Sequence, residues 1–525
     1  MEQVKLYDTT LRDGMGGQGM SLSVGEKLKV VEALDGLGVH FIEAGFPSSN
    51  PKEAEFFERL AGVELSNSTL CAFGMTRRRD REAADDEALA LLVGSFAPLV
   101  CLVGKASAFQ VEKVIRVSQE ENLAMIGDSF AFCIAEGKRA VFDAEHFFDG
   151  YRDDAAYALE CVRAAAEAGV ENVTLCDTNG GSLPGFVGEA TAAAVEAVGG
   201  QTEIGIHTHN DAECAVANSL AAVEAGARLV QGCVNGYGER CGNANLASIL
   251  PALQLKMGFD VVPEDRLRSL APTAHYLDEL CNMTPDPDRA YVGRNAFAHK
   301  AGMHAAGVAA DASTFEHLDP AMVGNERDIL PSELSGRATI RTQAEQAGVE
   351  IGEEATGQAL ERLKEREHRG YHYEAAQASF ELLLRREADA YEPLFELESF
   401  RVTTEKRADG RVETEATIKV KVGGERYVEV AEGNGPVNAL DTALRAAIAD
   451  RYPHLADIEL TNYKVRILDE THGTGAVTRV LLDSSDGGRE WGTIGVSENI
   501  IEASWEALVD SLEYAFQPRG ENDGG

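Results

Sequence analysis

The stretch Ile204-Gly205-Ile206-His207-Thr208-His209-Asn210-Asp211 is the most informative part of the chain, because it predicts a buried strand that ends in two histidines. Side chains two residues apart lie on the same side of a strand, so His207 and His209 can reach one metal ion. The apolar residues before His207 favour a strand, and Asn210 and Asp211 favour its end. For this segment alone, a polar surface turn that happens to hold two histidines is the alternative.

Two further predicted strand ends supply polar groups of the same kind. The segment Val4–Gly14 ends in Arg12 and Asp13, and a glycine-rich loop containing Asn243 follows the apolar strand Leu229–Val234. Asp13 offers a carboxylate oxygen and Asn243 an amide oxygen. Together with the two histidines they form a mixed oxygen and nitrogen set, which suits Mg, Mn or Zn without choosing among them. Arg12 offers a planar positive fork for a carboxylate.

The pattern around these motifs predicts an α/β fold, a (β/α)8 TIM barrel. Eight β-then-α units in about 250 residues match that architecture, in which chemistry lies at the carboxyl ends of the strands. An open doubly wound sheet is the competing fold, but no glycine-rich nucleotide fingerprint follows the first strand. The eight predicted strands are Lys5–Asp8, His40–Ala44, Thr69–Phe73, Leu99–Val103, Arg139–Asp143, Asn172–Cys176, Glu203–His207 and Leu229–Val234.

The rest of the chain changes character twice, and we expect four segments. Residues 1–255 form the barrel, and residues 256–390 form helical linker subdomains. Residues 391–517 form an α+β domain with an internal repeat, in which Thr414–Ile448 and Ala476–Leu512 each predict a strand, a Gly-Gly turn, a strand and a helix. Residues 518–525 are rich in glycine and acidic residues, so they predict a disordered tail.

Composition excludes several classes of partner. With 48 basic and 87 acidic residues, the net charge of −39 argues against binding nucleic acid or an anionic membrane surface. No apolar run is long enough to cross a bilayer, and no signal peptide precedes the first strand. The nine cysteines have irregular spacing, which predicts reduced core residues of a cytoplasmic protein. Cys241, beside the candidate metal loop, is expected to serve packing.

Three motifs resemble those of the acyl-CoA-condensing barrel enzymes, the 2-isopropylmalate, homocitrate and citramalate synthases. They are Asp8–Gly14, His207–Asp211 and Gly236–Ala244. Two longer stretches, Phe142–Tyr151 and Val323–Arg337, are most similar to the citramalate-forming branch. The resemblance implies an acyltransferase that condenses acetyl-CoA with a 2-oxo acid. That acid is pyruvate in the citramalate branch and 2-oxoisovalerate in the 2-isopropylmalate branch.

The resemblance also implies roles for individual residues. Arg12 matches the arginine that holds the 2-oxo acid and polarises its carbonyl, and Thr178 matches a hydroxyl that binds the oxo-acid carboxylate. Glu145 matches a glutamate that helps to remove the acetyl methyl proton, and His304 matches a linker histidine that assists the acyl-CoA. Each of these three residues also has a structural interpretation. Glu145 could be a charge at the start of a helix, Thr178 a hydroxyl in a turn, and His304 a polar residue whose hydrogen bonds are all made. The implied metal ligands are Asp13, His207, His209 and Asn243.

The terminal repeat resembles the family's regulatory domain, which implies a homodimer or higher homo-oligomer with an amino-acid effector. Isoleucine is the implied effector in the citramalate branch. The sequence departs from the family at Met15–Gln18, where Ala-Gln or Glu-Gln is usual, and at Ala106–Ala108, where Ser-Trp-Asp is common. Both departures fall on loops near the expected site.

Two other functions compete with a synthase. A lyase or aldolase on the same barrel would cleave a carbon–carbon bond, but the linker and the terminal repeat argue against it. A catalytically silent amino-acid sensor is the second alternative. The intact set of Arg12, Asp13, His207 and His209 argues against that reading.

Overall fold

The computed structural model describes residues 2–47, 50–300, 302–329, 336–468 and 476–517. The chain forms two compact units. The first comprises Met1–Phe297 with Leu318–Arg327, and the second comprises Ala298–His317 with Asp328–Gly525. The segment boundaries expected near residues 255 and 390 stay predictions, and the tail 518–525 lies outside the described residues.

Eight parallel strands of the first unit close into a barrel, which confirms the predicted fold class. Each strand starts within one residue of its predicted position, and most extend by one or two residues at the carboxyl end. The strands are β1 (Lys5–Asp8), β2 (Phe41–Gly45), β3 (Thr69–Met75), β4 (Leu99–Lys105), β5 (Arg139–Glu145), β6 (Asn172–Asp177), β7 (Glu203–Thr208) and β8 (Leu229–Gly232).

Helices follow the strands and cover the outside of the barrel. Local signals set their ends: Ser23 and Glu26 form a reciprocal capping box at the start of the first helix, and Gly38 ends it in the left-handed conformation. The helices of this unit are α1 (Val24–Leu37), α2 (Pro51–Leu60), α3 (Glu87–Gly94), α4 (Ala108–Gln110), α5 (Gln119–Ala135), α6 (Phe147–Asp153), α7 (Ala155–Glu167), α8 (Pro184–Val198), α9 (Ala215–Glu224), α10 (Leu246–Pro251), α11 (Glu264–Leu267) and α12 (Leu270–Leu280).

The barrel interior has an apolar cluster and a polar layer. Tyr7, Phe41, Phe73 and Leu99 belong to a cluster of buried strand residues that is separate from the larger core around the helices. Alternate residues of a barrel strand point into the barrel, so the next inward positions toward the carboxyl ends lie directly above the apolar cluster. Those positions are buried and polar: Glu43, Asp143, Thr174, His207 and Gln231.

The second unit contains one two-stranded and two three-stranded sheets. Its strands are β9 (Ala298–His299), β10 (Asp328–Ile329), β11 (Glu396–Lys406), β12 (Val412–Val422), β13 (Glu425–Gly433), β14 (Glu459–Ile467), β15 (Thr478–Ser485) and β16 (Glu490–Ser497). Its helices are α13 (Gly302–Ala310), α14 (Arg337–Gln346), α15 (Glu353–His368), α16 (Gln377–Glu387), α17 (Pro436–Ile448) and α18 (Ile500–Phe516).

The internal repeat has one more strand per copy than the sequence predicts. Each copy contains three antiparallel strands and a helix, since β11 pairs with β12 and β14 pairs with β15. Both extra strands are exposed along most of their length, so they lack the apolar alternation that marks a half-buried strand. The Gly-Gly turn between β12 and β13 lies as predicted, with positive φ at Gly423 and Gly424.

All nine cysteines are free thiols, and seven of them are buried. The packing role expected for Cys241 is wrong, because this side chain is exposed on the loop after β8. Among the described residues, no helix has both the length and the apolar character needed to span a membrane.

Candidate active site

The carboxyl ends of β1 and β7 bring three candidate metal ligands together. Asp13 Oδ2 lies 3.2 Å from His207 Nε2 and 3.6 Å from His209 Nε2. The two Nε2 atoms are 3.3 Å apart. Both imidazoles are buried, and the Asp13 side chain is 16% exposed. The three side chains therefore form a possible metal-binding cluster that stays open on one side.

Asn243 reaches the same place from the loop after β8. Its backbone forms an isolated antiparallel bridge with His209, and its Nδ2 donates to the carbonyl of Tyr237 at 2.9 Å. Gly242 makes this turn possible, because it has a φ of +87° and a Cβ there would lie 2.1 Å from the oxygen of Gly236. Among the described residues, the buried Asn243 Oδ1 has no hydrogen-bond partner.

An orphaned buried oxygen calls for an explanation, and a metal ion supplies one. The donors available are one carboxylate, two imidazoles and the amide oxygen of Asn243. Such a mixed oxygen and nitrogen set fits a divalent ion and leaves room for a chelating substrate. The assignment of Asp13, His207, His209 and Asn243 as ligands stays a prediction that this geometry supports.

The protonation states of Asp13 and His209 agree with ligation. Burial raises the pKa of Asp13, but the hydrogen bond with His207 and the charge of Arg12 outweigh it and hold the pKa well below its ordinary value. Burial lowers the pKa of His209 to about 4, and the adjacent His207 adds to that shift. Burial also lowers the pKa of His207, but Asp13 outweighs it and the net shift is upward. An ionised Asp13 and a neutral His209 thus meet at neutral pH.

A polar chain inside the barrel fixes the orientation of His207. Its Nδ1 lies 2.9 Å from Gln231 Oε1, and Gln231 Nε2 donates to Asp143 at 2.8 Å and to Thr174 at 3.2 Å. The amide oxygen can only accept, so Nδ1 carries a proton, and Nε2 is the ring nitrogen left for a metal ion, which would displace the proton that Nε2 shares with Asp13. Gln231 lies directly opposite His207 in the register between β7 and β8.

Arg12 is held by a buried carboxylate. Its Nε donates to Glu43 Oε2 at 2.5 Å, its Nη1 lies 3.6 Å from Asp13 Oδ2, and the guanidinium stacks over Phe73 at 4.1 Å. Tyr7 donates its hydroxyl to the second oxygen of Glu43 at 2.7 Å. Burial raises the pKa of Glu43, and the charge of Arg12 opposes that shift. The guanidinium therefore has a fixed plane, with Nη1 beside Asp13, one of the candidate metal ligands.

Glu145 and Thr178 lie at the ends of neighbouring strands. Glu145 ends β5 and forms an ion pair with Lys105, the last residue of β4. Thr178 follows β6, and its hydroxyl accepts a hydrogen bond from the backbone N–H of His146 at 2.8 Å. His146 has a φ of +59°, a left-handed conformation that turns the chain from β5 into α6. Thr178 thereby keeps its own hydroxyl proton for another acceptor.

Comparisons with known proteins give the family. The HMGL-like model matches residues 3–274, the homocitrate synthase post-HMGL domain-like model matches residues 291–370, and the LeuA allosteric (dimerisation) domain model matches residues 374–516. An (R)-citramalate synthase from Streptomyces coelicolor is 48% identical over 520 residues, which cover 98% of this chain and 97% of the relative. The chain belongs to the (R)-citramalate synthase family.

Further relatives agree with this family. An (R)-citramalate synthase from Geobacter sulfurreducens is 45% identical over 527 residues, covering 100% of this chain and 99% of the relative. A 2-isopropylmalate synthase from Methanocaldococcus jannaschii is 31% identical over 524 residues, which cover 99% of this chain and 96% of the relative. The prediction of an acyl-CoA-condensing synthase is confirmed, and the 2-isopropylmalate alternative ranks below the (R)-citramalate synthase family.

One residue predicted for the site lies outside the barrel unit. His304 is on α13 in the second compact unit, where its exposed ring stacks on Phe315 with 4.3 Å between ring centroids. An exposed imidazole on a helix face is chemically available. Its role toward the acyl-CoA, implied by the (R)-citramalate synthase family, stays a prediction.

Sequence reasoning missed three residues that position the site: Glu43, Lys105 and Gln231. Each is a polar side chain in, or at the end of, an otherwise apolar barrel strand, as in Phe41-Ile42-Glu43-Ala44 and Leu229-Val230-Gln231. A polar group at an inward strand position costs free energy unless it has a partner, so this pattern was a usable signal. The partners themselves lie on other strands and follow only from the closed barrel.

Proposed function

We propose that this member of the (R)-citramalate synthase family condenses acetyl-CoA with pyruvate to give (R)-citramalate and CoA, in isoleucine biosynthesis. The methyl carbon of acetyl-CoA loses a proton and bonds to the keto carbon of pyruvate. The keto oxygen becomes a hydroxyl, and water cleaves the thioester to a carboxylate and a thiol. The observation that carries the proposal is a complete donor cluster beside a fixed guanidinium, in a chain similar over nearly all its length to (R)-citramalate synthases.

The donor cluster would hold a divalent ion. We assign Asp13, His207, His209 and the orphaned Asn243 Oδ1 as its ligands, with Mg, Mn or Zn as candidates. Once bound, such an ion supplies positive charge to the keto oxygen as that oxygen becomes an alkoxide. Gln231 keeps His207 in the tautomer that ligation needs.

Arg12 binds and orients the 2-oxo acid. Glu43 occupies its Nε, so the terminal nitrogens of the guanidinium point to the place where the oxo-acid oxygens would lie. A planar fork can hold two oxygens at once and stabilises negative charge as it develops. Thr178 adds a hydroxyl donor to the substrate carboxylate from the end of β6.

Proton removal from the acetyl methyl falls to Glu145 in this proposal. It lies at the carboxyl end of β5, where the ammonium of Lys105 pairs with one carboxylate oxygen and the other oxygen lies 4.0 Å from His146 Nε2. A carboxylate in direct reach of the methyl group is a competent general base. We assign His304 the role of assisting the acyl-CoA.

The carboxyl-terminal domain would regulate the enzyme. Residues 374–516 match an allosteric dimerisation domain, and its sheets expose apolar side chains that a second copy would bury. The exposed residues are Leu397, Val412, Val428, Val430, Leu460, Tyr463, Val465 and Ile467. We propose a homodimer with isoleucine as the effector, and a cytoplasmic location that suits nine free thiols.

A panel of 2-oxo acids tests the proposed substrate. Release of free thiol from acetyl-CoA is followed with pyruvate, 2-oxoisovalerate and 2-oxoglutarate at several concentrations. We expect the highest kcat/KM with pyruvate, and at least about 10-fold less with 2-oxoisovalerate, because each added methyl group must fit beside Phe73, whereas Leu102 packs in the core outside the barrel. Preference for 2-oxoisovalerate would instead assign a 2-isopropylmalate synthase, and preference for 2-oxoglutarate a homocitrate synthase.

A further inference from the structure

A cavity of about 430 Å³ lies at the amino ends of the barrel strands, at the opposite end of the barrel from the candidate active site. The first residues of six of the eight barrel strands line it: Lys5, Phe41, Arg139, Asn172, Glu203 and Leu229. A volume of this size is within the range of pockets that hold small organic ligands. Chemistry in barrels of this kind lies at the carboxyl ends of the strands, so this cavity is a candidate for binding and not for catalysis.

The floor of the cavity is apolar except at one position. Phe41, Val141 and Leu229 line the cavity and belong to the buried cluster inside the barrel. Asn172 also lines it, directly opposite Val141 in the register between β5 and β6, and is only 3% exposed. A buried amide costs free energy unless its donor and acceptor groups have partners, so Asn172 calls for an explanation.

A chain of hydrogen bonds fixes the direction in which the amide of Asn172 points. Gln231 Nε2 donates to Thr174 Oγ1 at 3.2 Å, and Thr174 Oγ1 donates to Asn172 Oδ1 at 2.9 Å. Thr174 lies two residues further along β6, so Oδ1 faces the carboxyl end of the barrel. Nδ2 is on the other branch of the amide and is left on the side of the cavity. Among the described residues, this buried nitrogen has no hydrogen-bond partner.

A glycine on the neighbouring strand makes room for this amide. Gly205 lies on β7 between Glu203 and His207, on the same side of the strand as both. A Cβ at this position would lie 2.7 Å from Asn172 Oδ1 and 2.8 Å from Thr174 Oγ1. Gly205 does not have a positive φ, so the position uses its small size and not its backbone freedom. Any larger residue would displace the Asn172 side chain from the cavity floor.

The mouth of the cavity carries two ion pairs. Lys5 Nζ lies 2.9 Å from Glu203, and Arg139 Nε lies 2.9 Å from Glu171. The four side chains are between 31% and 48% exposed, so all of them reach solvent. Their charges sum to zero, although the whole chain has a net charge of −39. A ligand that carries one positive and one negative group therefore meets a partner for each of them here.

We propose that this cavity binds a free α-amino acid with a short aliphatic side chain. The carboxylate accepts from Asn172 Nδ2 and lies beside Arg139, and the ammonium lies beside Glu203. These two groups of an α-amino acid share one carbon, and Asn172 and Glu203 are directly opposite each other in the register between β6 and β7. The aliphatic side chain packs on Phe41 and Leu229. The site lies wholly within the barrel unit and does not depend on the proposed reaction, because no residue of the candidate active site takes part.

Asn172→Asp tests the amide donor with almost no change of size. The new carboxylate can still accept from Thr174, but it offers no donor and repels the carboxylate of the ligand. We expect the Kd for L-valine, measured by calorimetry on the full chain, to rise about 10-fold or more. The matched control is Asn282→Asp, which makes the same substitution at an exposed turn of the barrel unit and should bind L-valine like the unmodified chain.

Two analogues of L-valine test whether both charges are needed. Isobutylamine lacks the carboxylate of L-valine, and 3-methylbutanoate lacks its ammonium. Each analogue should bind the unmodified chain at least about 10-fold more weakly than L-valine, because each leaves one charged partner at the cavity unused.

The place of binding is measured on the unmodified full chain, so the result does not depend on the folding of any variant. L-Valine should slow amide hydrogen exchange at the starts of β6 and β7 and in the preceding loop, residues 200–202. Both tryptophans of the chain, Trp491 and Trp505, lie in the second unit, so their fluorescence reports an amino acid that binds there and not one in the barrel.

The proposal is overturned if L-valine slows exchange only in the second unit, if Asn172→Asp binds L-valine like Asn282→Asp, or if either analogue binds as tightly as L-valine. An unmodified chain that does not bind L-valine at all would also overturn it, since the cavity would then hold only water. None of these results bears on the proposed reaction, which the panel of 2-oxo acids tests separately.

Discussion

The guanidinium of Arg12 shows how single residues determine the candidate chemistry. Its neighbours are a buried carboxylate on β2, an aromatic face on β3 and the nearest metal ligand candidate, Asp13. Each contact restrains one degree of freedom of the side chain. The planar fork is therefore oriented before substrate arrives, which reduces the entropy lost when the transition state forms.

Arg12→Lys should lower kcat/KM at least about 100-fold while the chain still folds, because an ammonium keeps the charge but cannot hold Glu43 and two substrate oxygens together. Metal content, measured on the same preparation, should be unchanged. The control is Arg139→Lys, which makes the same substitution in a two-bond pair with Glu171 at the amino end of β5, away from the candidate site. A rate near that of the unmodified enzyme would mean that Arg12 has only a structural role.

Gln231→Leu should weaken metal binding by about 10- to 100-fold, because His207 would lose the acceptor that fixes its tautomer. Affinity is measured by competition with a chromophoric chelator, so the readout does not depend on turnover. Thr174→Val is the control: it removes a hydroxyl that contacts Gln231 but leaves the acceptor of His207 in place. Equal affinities in the two variants would contradict the positioning role.

The sequence alone predicted which residues could be metal ligands, but it did not predict which side chains pair with one another across neighbouring strands. His207 and His209 were placed on one side of a strand by its two-residue period, and Asp13 and Asn243 by their position after other strands. The pairs of Arg12 with Glu43, and of Glu145 with Lys105, join strands that are neighbours in the barrel. Such pairs depend on the inter-strand register, which periodicity along one strand does not report.

At the scale of elements, a close contact holds the proposed base in place. Gly150 in α6 packs against the segment after β4, where a Cβ would lie 2.2 Å from the oxygen of Ala106 and 2.8 Å from the Cα of Ser107. In the same segment, the backbone N–H of Ala106 donates to the carbonyl oxygen of Glu145 at 2.9 Å. The contact therefore connects α6 to the ends of both strands that carry the Lys105–Glu145 pair.

Gly150→Ala should destabilise the fold by about 1–3 kcal/mol and also reduce kcat, because the backbone of Ala106 must shift to admit the methyl group. The control is Gly127→Ala in α5, where an added Cβ meets nothing within 4 Å. That variant should be neutral or stabilised by up to about 1 kcal/mol, since alanine favours the helix. Denaturant unfolding measures the free energy of unfolding of both variants. Equal effects would contradict the claim that a Cβ at Gly150 collides with the backbone of Ala106.

Strands that are buried on at least one face were predicted, and strands that are exposed on both faces in the single chain were missed. The barrel strands are apolar and bounded by polar breaks, so their positions followed from the sequence. Strands β11 and β14 are exposed on both faces in the single chain. Charged residues interrupt the alternation of apolar and polar residues that would mark them as strands. Such strands are expected where a second copy completes the burial.

At the scale of the whole molecule, regulation and assembly are proposed to share one surface. Val428 and Val430 point outward from β13 and are 46% and 55% exposed. Val428→Lys with Val430→Lys should convert the dimer into monomers, since charge at a buried apolar contact is costly. Light scattering measures the mass, and the same sample is titrated with isoleucine, leucine and valine. We expect inhibition by isoleucine only in the unmodified enzyme.

The control for this surface is Glu432→Lys, which changes charge on the same side of β13 without removing an apolar side chain. It should remain dimeric and inhibited. If the valine double variant also stays dimeric and responds to isoleucine, this face is not the interface. If the unmodified enzyme ignores all three amino acids, the regulatory assignment itself is wrong.

One measurement on the full chain identifies the reaction product and tests whether its formation depends on metal. The full chain is incubated with methyl-labelled acetyl-CoA, pyruvate and Mg or Mn, before and after exhaustive chelation, and the product is separated by chiral chromatography. We predict (R)-citramalate with the label in its methylene carbon, and none after metal loss is confirmed. The opposite enantiomer, no product from pyruvate, or undiminished product without metal would contradict the central claim.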